Sequence, residues 1–312
     1  MVTPAADLSL VVVAYHRPAC LERLLEGLDG TGIAIVVVDV EADREIDEIS
    51  RRHSASVVTI EGNPGYAAAV NAGARAVETE YLVFSNDDVI VPADSLEALG
   101  AALRDGSADV AVPRVQDDHG SQVRTVQSAP GLGRFLAEWV LLPDRPLPLP
   151  GIRIEKWRQP SGQELIGAAS AMVVATRTSL LRERKLPEAY TLYWEESEWF
   201  HWLRIGGFSV AYCPEALITD LGGRAVLYPD KCRLLARNAV RYFRRTRGRL
   251  QAAVAWVLVI VWQLRLVAMA LVRVALRRPG SSEALRCRVA GLGAAAQAWR
   301  EVTAHANSTT KT

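Results

Sequence analysis

The stretch from Tyr81 to Ile90 runs an apolar strand pattern directly into Asn86, Asp87 and Asp88. Neighbouring carboxylates repel each other, and burial penalises both unless a cation or hydrogen bonds compensate. A divalent cation that carries a phosphate-rich ligand would resolve this conflict, because such cations prefer oxygen ligands. A solvated aspartate pair in a turn after the strand is the ordinary structural alternative. The neighbouring motifs therefore decide between a metal site and a simple turn.

Strand and helix patterns alternate along the first 120 residues. Leu8–Ala14 and Ile33–Val38 are continuous apolar runs rich in β-branched residues, which is typical of buried parallel strands. Helical spacing follows the first of these runs, and the alternation continues, which predicts βαβ units and a mostly parallel sheet. Ligands bind beyond the carboxyl ends of the strands in such sheets. Asp39 and Asp87 fall at such ends.

The pattern changes after residue 124. Residues 125–162 contain six prolines and predict a long loop near the site. Strands are then expected at Leu165–Val174, Val210–Cys213 and Ala216–Ile218.

Charge divides the chain into two parts. Residues 1–222 hold 19 Lys and Arg against 32 Asp and Glu, whereas residues 223–312 hold 17 against 3. This asymmetry predicts two environments or two partners. Four widely spaced cysteines without a CxxC pair favour a reducing compartment over a disulfide framework or a zinc site. No signal peptide pattern is evident at the start, so we expect a cytoplasmic amino-terminal half.

The carboxyl-terminal region combines basic and apolar segments. Residues 231–249 carry eight Lys and Arg and no acidic residue, and Leu250–Leu276 is almost wholly apolar. In a helix, Gln251, Arg265, Arg273 and Arg277 fall within about 120° of one another. This pattern favours a helix in the plane of an anionic membrane surface, although a spanning helix and a buried hairpin stay open. A nucleic-acid binder is disfavoured by the long apolar segment.

Three further motifs are candidates for chemistry. Asn63–Gly73 is a turn that leads into a helix and suits close approach of backbone to phosphates. Tyr193–Trp199 places three carboxylates among aromatic residues, and an apolar wall raises a carboxylate's pKa toward that of a general base. Asp220–Gly223 supplies another carboxylate before a turn. Each motif alone also fits a common structural feature, namely a loop junction, a solvated helix start or a turn.

Taken in order, the motifs resemble the inverting glycosyltransferases of family 2, which have a GT-A fold. The resemblance covers roughly residues 8–223. It rests on Leu10–Pro18, Ile35–Asp39, Asn63–Asn71, Ser85–Asp88, Tyr193–Glu198 and Asp220–Gly223. Bacterial rhamnosyltransferases that act on polyprenyl-diphosphate-linked sugars are the most similar group, and this similarity extends to the basic Arg237-Asn238 segment. The expected fold is therefore α/β, a Rossmann-like mostly parallel sheet flanked by helices, with a GT-A catalytic domain at 1–223 and a membrane-associating helical region at 224–312.

The resemblance also implies roles for individual residues. Glu196 is expected to be the base, with Glu195 and Glu198 as residues that orient or replace it. Asp88, Asp87 and Asp220 are expected to hold Mg²⁺ or Mn²⁺. The nucleotide-sugar site is expected to comprise Ala14, Tyr15, Arg17, Asp39, Asn63, Gly65, Asn71, Asn86, Asp87, Gly167 and Trp194.

Three positions depart from the family pattern. Val40 follows Asp39 where the family usually has Asn, and Glu196 stands where the base is usually Asp. Asp220 replaces the usual His, and its oxygen still suits magnesium or manganese.

The implied activity is a metal-dependent hexosyl transfer from a nucleotide diphosphate to a hydroxyl, with inversion. A dTDP- or UDP-sugar is the expected donor, with dTDP-rhamnose favoured. A lipid-diphosphate-linked acceptor at the cytoplasmic face of the cell membrane is expected, in cell-envelope polysaccharide synthesis. A soluble acceptor such as a secondary metabolite, a catalytically inactive membrane-attached sugar-binding or scaffold protein, and a homodimer stay open. A dinucleotide-dependent oxidoreductase is disfavoured, because no GxGxxG follows the first strand.

Overall fold

The computed structural model describes residues 6–127, 129–137, 160, 162–222 and 228–303. The chain divides into two compact units. The first comprises Met1–Ala129 with Lys156–Ala225, and the second comprises Pro130–Glu155 with Val226–Thr312. The expected functional boundary after residue 223 falls outside the described residues and stays a prediction. Much of the predicted loop at 125–162, with Trp139 and Trp157, also lies outside them.

All the strands among the described residues lie in the first unit. They are β1 (Leu8–Ala14), β2 (Ala34–Asp39), β3 (Ser56–Thr59), β4 (Tyr81–Asn86), β5 (Val89–Ile90), β6 (Val110–Asp117), β7 (Gln122–Val123), β8 (Val126–Gln127), β9 (Glu164–Leu165), β10 (Ala168–Ala169), β11 (Val173–Arg177) and β12 (Val210–Asp220).

The helices divide between the two units. The first unit holds α1 (Pro18–Glu26), α2 (Arg44–Arg52), α3 (Tyr66–Ala76), α4 (Ala93–Arg104), α6 (Thr178–Glu183) and α7 (Glu195–Ile205), and the second holds α5 (Leu132–Phe135), α8 (Pro229–Ala275), α9 (Ser281–Gln297) and α10 (Trp299–Thr303).

A mixed sheet forms the centre of the first unit. Its order is β3-β2-β1-β4-β11-β6-β12-β5, with β7 added to β6 and β9 added to β12. The pairs β2–β3, β1–β2, β1–β4 and β6–β12 are parallel, whereas β11 is antiparallel to both of its neighbours. A small separate sheet joins β8 and β10. The predicted mostly parallel α/β architecture is confirmed.

Both faces of the sheet are covered, which explains the continuous apolar sequence of β1. Leu10 and Val12 point into a core layer shared with α1 and α4, whereas Val11 and Val13 point into a layer shared with α3 and α7. Successive side chains of a strand point to opposite faces, so a strand buried on both sides needs apolar residues throughout. The sheet therefore presents only its edges and strand ends to ligands.

Two strand predictions are wrong in their boundaries. The expected strand Leu165–Val174 is three separate strands, β9, β10 and β11, and these pair with β12, β8 and β4 respectively. The expected pair Val210–Cys213 and Ala216–Ile218 is the single strand β12, whose register against β6 shifts between Cys213 and Leu217. A bulge of this kind accommodates extra residues without ending the strand.

The second unit is helical. Helix α8 contains one residue with non-helical dihedral angles, Gly248, at φ 84° and ψ −179°. This divides α8 into an amino-terminal arm (229–247) and a carboxyl-terminal arm (249–275). The predicted apolar carboxyl-terminal helix is confirmed. Among the described residues, α8 is the one helix that is both long enough and apolar enough to cross a membrane.

Candidate active site

The carboxyl ends of three neighbouring strands bring the first motifs together. The register of β1 places Ala14 beside Asp39 of β2 and Val13 beside Asn86 of β4. The backbone N–H of Tyr15 then donates a hydrogen bond of 2.8 Å to Oδ2 of Asp87. The turn after β1 and the acidic turn after β4 therefore form one continuous surface.

Asp39 is held at the same edge and is only 2% exposed. Its Oδ1 accepts a hydrogen bond of 3.0 Å from the N–H of Glu41. The N–H of Asn63 donates to the carbonyl oxygen of Val40 over 3.1 Å, which ties the third motif to the end of β2. Asn63 itself has a φ of 40° and accepts from the N–H of Gly65 through its side chain. Asp39 and Asn63 thus lie in adjoining turns.

Asp88 and Asp220 converge from different strands. The carbonyl oxygen of Asp88 accepts from the N–H of Leu221 over 2.8 Å, and Oδ1 of Asp220 accepts from the N–H of Gly222 over 2.8 Å. A Cβ built on Gly222 would lie 2.6 Å from Oδ2 of Asp88 and 3.0 Å from Oδ1 of Asp220. The two carboxylates therefore border one space that only a glycine leaves open.

The electrostatics of this edge are unfavourable without a cation. Burial raises the pKa of Asp87 to about 7, although the hydrogen bond from Tyr15 opposes the shift. Burial also raises the pKa of Asp220, and the charge of Asp88 adds to that effect. Arg17 forms an ion pair with Asp88 and supplies positive charge. Each aspartate would be stabilised in its ionised form by additional positive charge.

The donor set fits a magnesium or manganese ion that also binds phosphate. Within the described residues, no three His, Cys, Asp or Glu side chains cluster as a metal site. Asp88 and Asp220 border a shared space, and magnesium is commonly held by one or two carboxylates together with substrate phosphates. These two residues would hold the ion, while Asp87 uses one oxygen for Tyr15.

The turn before α3 packs directly against the segment before α7. Gly65 has a φ of 105°, and a Cβ there would lie 2.8 Å from the Cα of Thr191. The N–H of Tyr66 donates to the carbonyl oxygen of Thr191 over 3.1 Å. Only glycine satisfies both the backbone conformation and the space at this position. The third motif thereby positions the loop that leads into α7, whose first turn carries the three glutamates.

Asn71 links α3 to the same loop. Its Nδ2 donates to the carbonyl oxygen of Leu186 over 2.9 Å and to Oε1 of Glu188 over 2.8 Å, and its Oδ1 accepts from the N–H of Leu186 over 3.0 Å. Asn71 is 2% exposed. These bonds support a positioning role, and its direct contact with a nucleotide sugar stays a prediction.

The first turn of α7 holds three glutamates in different environments. Glu195 is 4% exposed, and its Oε2 has no hydrogen-bond partner among the described residues. Burial raises the pKa of Glu195 well above its ordinary value, and the charge of Glu196 raises it further. Burial raises the pKa of Glu196 to about 7, yet this residue keeps partial exposure. Burial therefore favours the protonated form of both carboxyls, and only Glu196 combines a pKa near neutrality with partial exposure.

Glu198 is engaged in a buried network. Its Oε2 accepts from the hydroxyl of Tyr190, and its Oε1 accepts from Nε1 of Trp202 over 3.3 Å. The residue is 1% exposed. Because both oxygens already accept hydrogen bonds, Glu198 is better suited to holding α7 in place than to accepting a substrate proton.

Two left-handed residues precede these glutamates. Tyr193 has a φ of 68° and Trp194 a φ of 77°. Non-glycine residues in this region store backbone strain, which is commonly found at functional sites. Trp194 is 5% exposed, and its carbonyl oxygen accepts from the N–H of Glu198. The strained pair sets the direction in which α7 begins.

Tyr66 connects the acidic groups and was missing from the predicted site. Burial raises the pKa of its phenol well above the ordinary value, and the charges of Glu195, Asp88, Glu196 and Asp87 raise it further. Its hydroxyl donates to the carbonyl oxygen of Ala171 over 2.8 Å. Charges from both the turn after β4 and the start of α7 therefore contribute to the pKa of this phenol. Its place directly after Gly65 in the third motif was the available signal.

Asn86 and Gly167 are the remaining predicted residues of the nucleotide-sugar site. Asn86 is the last residue of β4, and its N–H donates to the carbonyl oxygen of Met172 over 3.1 Å. Gly167 lies between β9 and β10 and is partly exposed, and nothing in its described contacts links it to the acidic edge. Gly223, the last residue of the fourth motif, lies outside the described residues.

Comparison with known proteins identifies the fold. The family model described as Glycosyl transferase family 2 matches residues 9–172. An uncharacterized glycosyltransferase of Haemophilus influenzae is 34% identical over 85 residues, which cover 26% of this chain and 29% of that protein. The chain therefore matches less than a third of that relative's length.

Two solved structures share the architecture at low identity. GalNAc-T7 with UDP, GalNAc and Mn²⁺ has a TM-score of 0.54 at 14% identity, covering 76% of this chain and 48% of that one. The mannosyltransferase PcManGT from Pyrobaculum calidifontis, with GDP-Man and Mn²⁺, has a TM-score of 0.51 at 14% identity, covering 93% and 86%. These likenesses confirm the predicted GT-A fold.

Proposed function

Because the chain belongs to glycosyltransferase family 2, we propose that it transfers a sugar from a nucleotide diphosphate to an acceptor hydroxyl with inversion. The observation that carries the proposal is the contact between the turn before α3 and the loop before α7, in which the N–H of Tyr66 donates to the carbonyl oxygen of Thr191 over 3.1 Å. The acidic turn after β4 is held in the same unit, where Asp88 and Asp220 border one space. We infer that the turn after β4, which binds the donor diphosphate, and the start of α7, which supplies the base, line one cleft.

The donor binds at the carboxyl edge of the sheet. Asp39, with one carboxylate oxygen not used by Glu41, recognises the base, and the turns at Tyr15 and Asn63 line the nucleotide. Asp88 and Asp220 hold Mg²⁺ or Mn²⁺, which supplies positive charge toward the leaving diphosphate. Arg17, paired with Asp88, adds positive charge at the same place.

Glu196 is the base. It takes the proton of the acceptor hydroxyl while the acceptor oxygen bonds to the anomeric carbon and the bond from that carbon to the diphosphate oxygen breaks. A single displacement of this kind inverts the anomeric centre. Burial raises the pKa of Glu196 to about 7, and the charge of Glu196 adds to the effect of burial on the pKa of Glu195 beside it. Glu198 keeps the helix start in position. A base with a pKa near the working pH combines availability with driving force.

The finer assignment of substrates rests on motif resemblance. The donor is dTDP-rhamnose or another dTDP- or UDP-sugar, and the acceptor is a lipid-diphosphate-linked glycan of the cell envelope. Helix α8 supports this, since its apolar carboxyl-terminal arm follows the basic residues of its amino-terminal arm and the helix is apolar enough for membrane association. The enzyme then works at the cytoplasmic face of the cell membrane.

The proposal is tested by incubating the full chain with Mn²⁺, a panel of dTDP-, UDP- and GDP-sugars, and a lipid extract from a bacterial envelope. We expect release of nucleoside diphosphate with one sugar and a lipid product whose anomeric proton shows inversion. Transfer to a soluble hydroxyl compound in preference to the lipid would assign a soluble acceptor. Tight nucleotide-sugar binding without transfer or hydrolysis would indicate an inactive sugar-binding protein.

A further inference from the structure

Helix α8 reverses direction at Gly248 and forms a helical bundle. A Cβ built on Gly291 of α9 would lie 3.3 Å from Cβ of Cys232 and 2.6 Å from Oε1 of Gln263. These two residues lie almost equally far from Gly248 on either side. Since both arms reach the same glycine, they fold back on each other.

Contacts of both arms with the carboxyl-terminal end of α9 and with α10 support this arrangement. Arg241 of the amino-terminal arm pairs with Glu301 of α10, with Nε 3.0 Å from Oε2. Trp256 of the carboxyl-terminal arm donates from Nε1 to the carbonyl oxygen of Ala295 over 3.0 Å and packs on Trp299 with ring centroids 4.9 Å apart. Arg241 and Trp256 both lie within about two helical turns of Gly248, where α8 reverses direction.

The carboxyl-terminal arm buries one face in this bundle. Ala252, Ala255 and Val259 are fully buried, and Trp262 is 7% exposed. Trp262 packs on Phe135 of α5, whose ring also meets Phe243 of the amino-terminal arm. At 100° per residue these four positions of the arm occupy about 80° of the helix circumference.

The opposite face of the arm is apolar and exposed. We name it the exposed ridge and define it by its members, which are Leu250 (80% exposed), Val254 (43%), Val257 (50%), Val261 (45%), Leu264 (50%) and Leu271 (52%). These positions fall within about 100° of the helix circumference. A contiguous apolar stripe of this length marks an interaction surface.

Charge identifies the partner. No acidic residue occurs between Asp230 and Glu283. Arginines with exposed side chains flank the ridge, Arg247 and Arg249 at one end and Arg273, Arg277 and Arg278 at the other. Apolar residues that insert among acyl chains, with arginines that meet anionic head groups, are typical of interfacial helices.

We propose that the exposed ridge docks in the plane of an anionic lipid surface, with the carboxyl-terminal arm of α8 lying flat. This inference deepens the membrane attachment proposed above. The length of the arm does not distinguish a helix that lies on the membrane from one that spans it, because Leu250 to Leu271 extends about 33 Å as a helix and is long enough to cross a bilayer. The packing of the arm favours the lying orientation, since the face opposite the exposed ridge is covered by helices that carry the charged residues Arg241 and Glu301. A helix that has only one face free inserts by that face.

The first experiment is vesicle flotation of the full chain. Vesicles of phosphatidylcholine alone are compared with an equal mixture of phosphatidylcholine and phosphatidylglycerol. We expect binding to the mixture, weakened by salt, and a loss of at least about tenfold in the triple variant Val257→Gln, Val261→Gln, Leu264→Gln. The matched control Leu165→Gln, Ile205→Gln, Val289→Gln also replaces three exposed apolar residues and is expected to bind normally.

Three outcomes overturn the inference. They are no binding to either vesicle, equal loss in both triple variants, and a ridge variant that dissociates a homodimer while vesicle binding is unchanged. A thermal shift by UDP with Mn²⁺ is measured on the same samples. A wild-type chain that shows the nucleotide shift but binds no vesicles contradicts only this inference. A wild-type chain that binds vesicles but shows no nucleotide shift contradicts only the proposed function.

A second measurement separates lying from spanning. Cysteines introduced one at a time at Val254, Val261 and Leu271 carry an environment-sensitive dye, and brominated lipids report its depth. The background is Cys20→Ser, in which the three native cysteines that remain are buried. Equal, shallow depths at the three positions are expected. A dye at Val261 that lies much deeper than the other two would establish a spanning helix and overturn the inference.

Discussion

The backbone N–H of Tyr15 and the side chain of Asp87, 72 residues apart in sequence, are joined by a hydrogen bond of 2.8 Å. This bond fixes the turn after β1 against the end of β4. It also leaves Asp87 buried beside Asp88, with its pKa raised to about 7 mainly by burial. The site therefore holds carboxylates whose ionised form is costly until a cation arrives.

Stability without a bound cation should fall as pH rises. Asp87 has an ordinary pKa of 3.8 and a folded pKa of about 7. Between these values the folded state keeps the proton that the unfolded state has lost, so ionisation disfavours the fold. We expect Tm to decline through that window and Asp87→Asn to reduce the decline, by roughly 1–3 kcal/mol of unfolding free energy. Thermal melts across pH with a chelator measure this, and an unchanged slope in Asp87→Asn would argue against a buried protonated aspartate.

Activity should rise with pH through a pKa near 7. The carboxyl of Glu196 must lose its proton to act as the base, and burial raises its pKa to about 7. We therefore expect kcat/KM to increase up to about neutral pH and to level off above it. Glu196→Gln should lower kcat by about 10²–10⁴-fold and abolish the rise, with little change in Tm.

Glu198 provides the matched comparison for Glu196. It accepts hydrogen bonds from the buried Tyr190 and from Trp202, and its removal takes both of these bonds away. Glu198→Ala should lower stability by about 1–3 kcal/mol, measured by urea unfolding. If Glu198→Gln abolishes transfer in a fully folded protein while Glu196→Gln keeps near-full activity, the assignment of the base is wrong.

Gly65→Ala should disrupt the contact between the third motif and the loop before α7. The new Cβ would lie 2.8 Å from the Cα of Thr191, at a φ of 105°. Gly62→Ala is the control, because Gly62 also has a positive φ, 77°, but has open space around it. We expect a cost of about 1 kcal/mol in the control and clearly more in Gly65→Ala, together with weaker nucleotide binding. Equal costs would mean that the close approach to Thr191 is unimportant.

Gly222→Ala should weaken cation-dependent nucleotide binding. Its Cβ would occupy the space bordered by Oδ2 of Asp88 and Oδ1 of Asp220. Gly162→Ala, at a position with nothing within 4 Å, is the control. We expect the apparent Kd for Mn²⁺ in the presence of UDP to rise by about tenfold or more in Gly222→Ala alone. Unaltered Mn²⁺ affinity would remove Asp220 from the proposed cation site.

The fold was predictable where burial dictated composition. Leu8–Ala14 is a strand with the bounds that its continuous apolar run indicates, because both faces of the sheet are covered. The expected strand Leu165–Val174 failed, since apolar composition does not show where the pairing partner changes from β12 to β8 to β4. The reversal at Gly248 could not be predicted either, because one glycine in a basic run does not indicate that the two arms of α8 pack together.

The site was predictable as a set of motifs more than as a set of contacts. The order of the acidic turns placed Asp88 and Asp220 together, and the space beside Gly222 agrees with that expectation. The sequence left three glutamates equivalent, and only the partners of Glu198 separate it from Glu196. Tyr66 was missed because its importance lies in distant charges that meet only in the folded chain.

The proposed function requires the acidic edge to bind a nucleotide diphosphate through a divalent cation. Titration calorimetry of dTDP and UDP into the wild-type chain and into Asp88→Asn, each with and without Mn²⁺, tests it most directly. We expect Mn²⁺-dependent binding of at least one nucleotide in the wild type and a loss of about tenfold or more in Asp88→Asn. Nucleotide binding that depends on neither Mn²⁺ nor Asp88, or no binding of either nucleotide, would contradict the account.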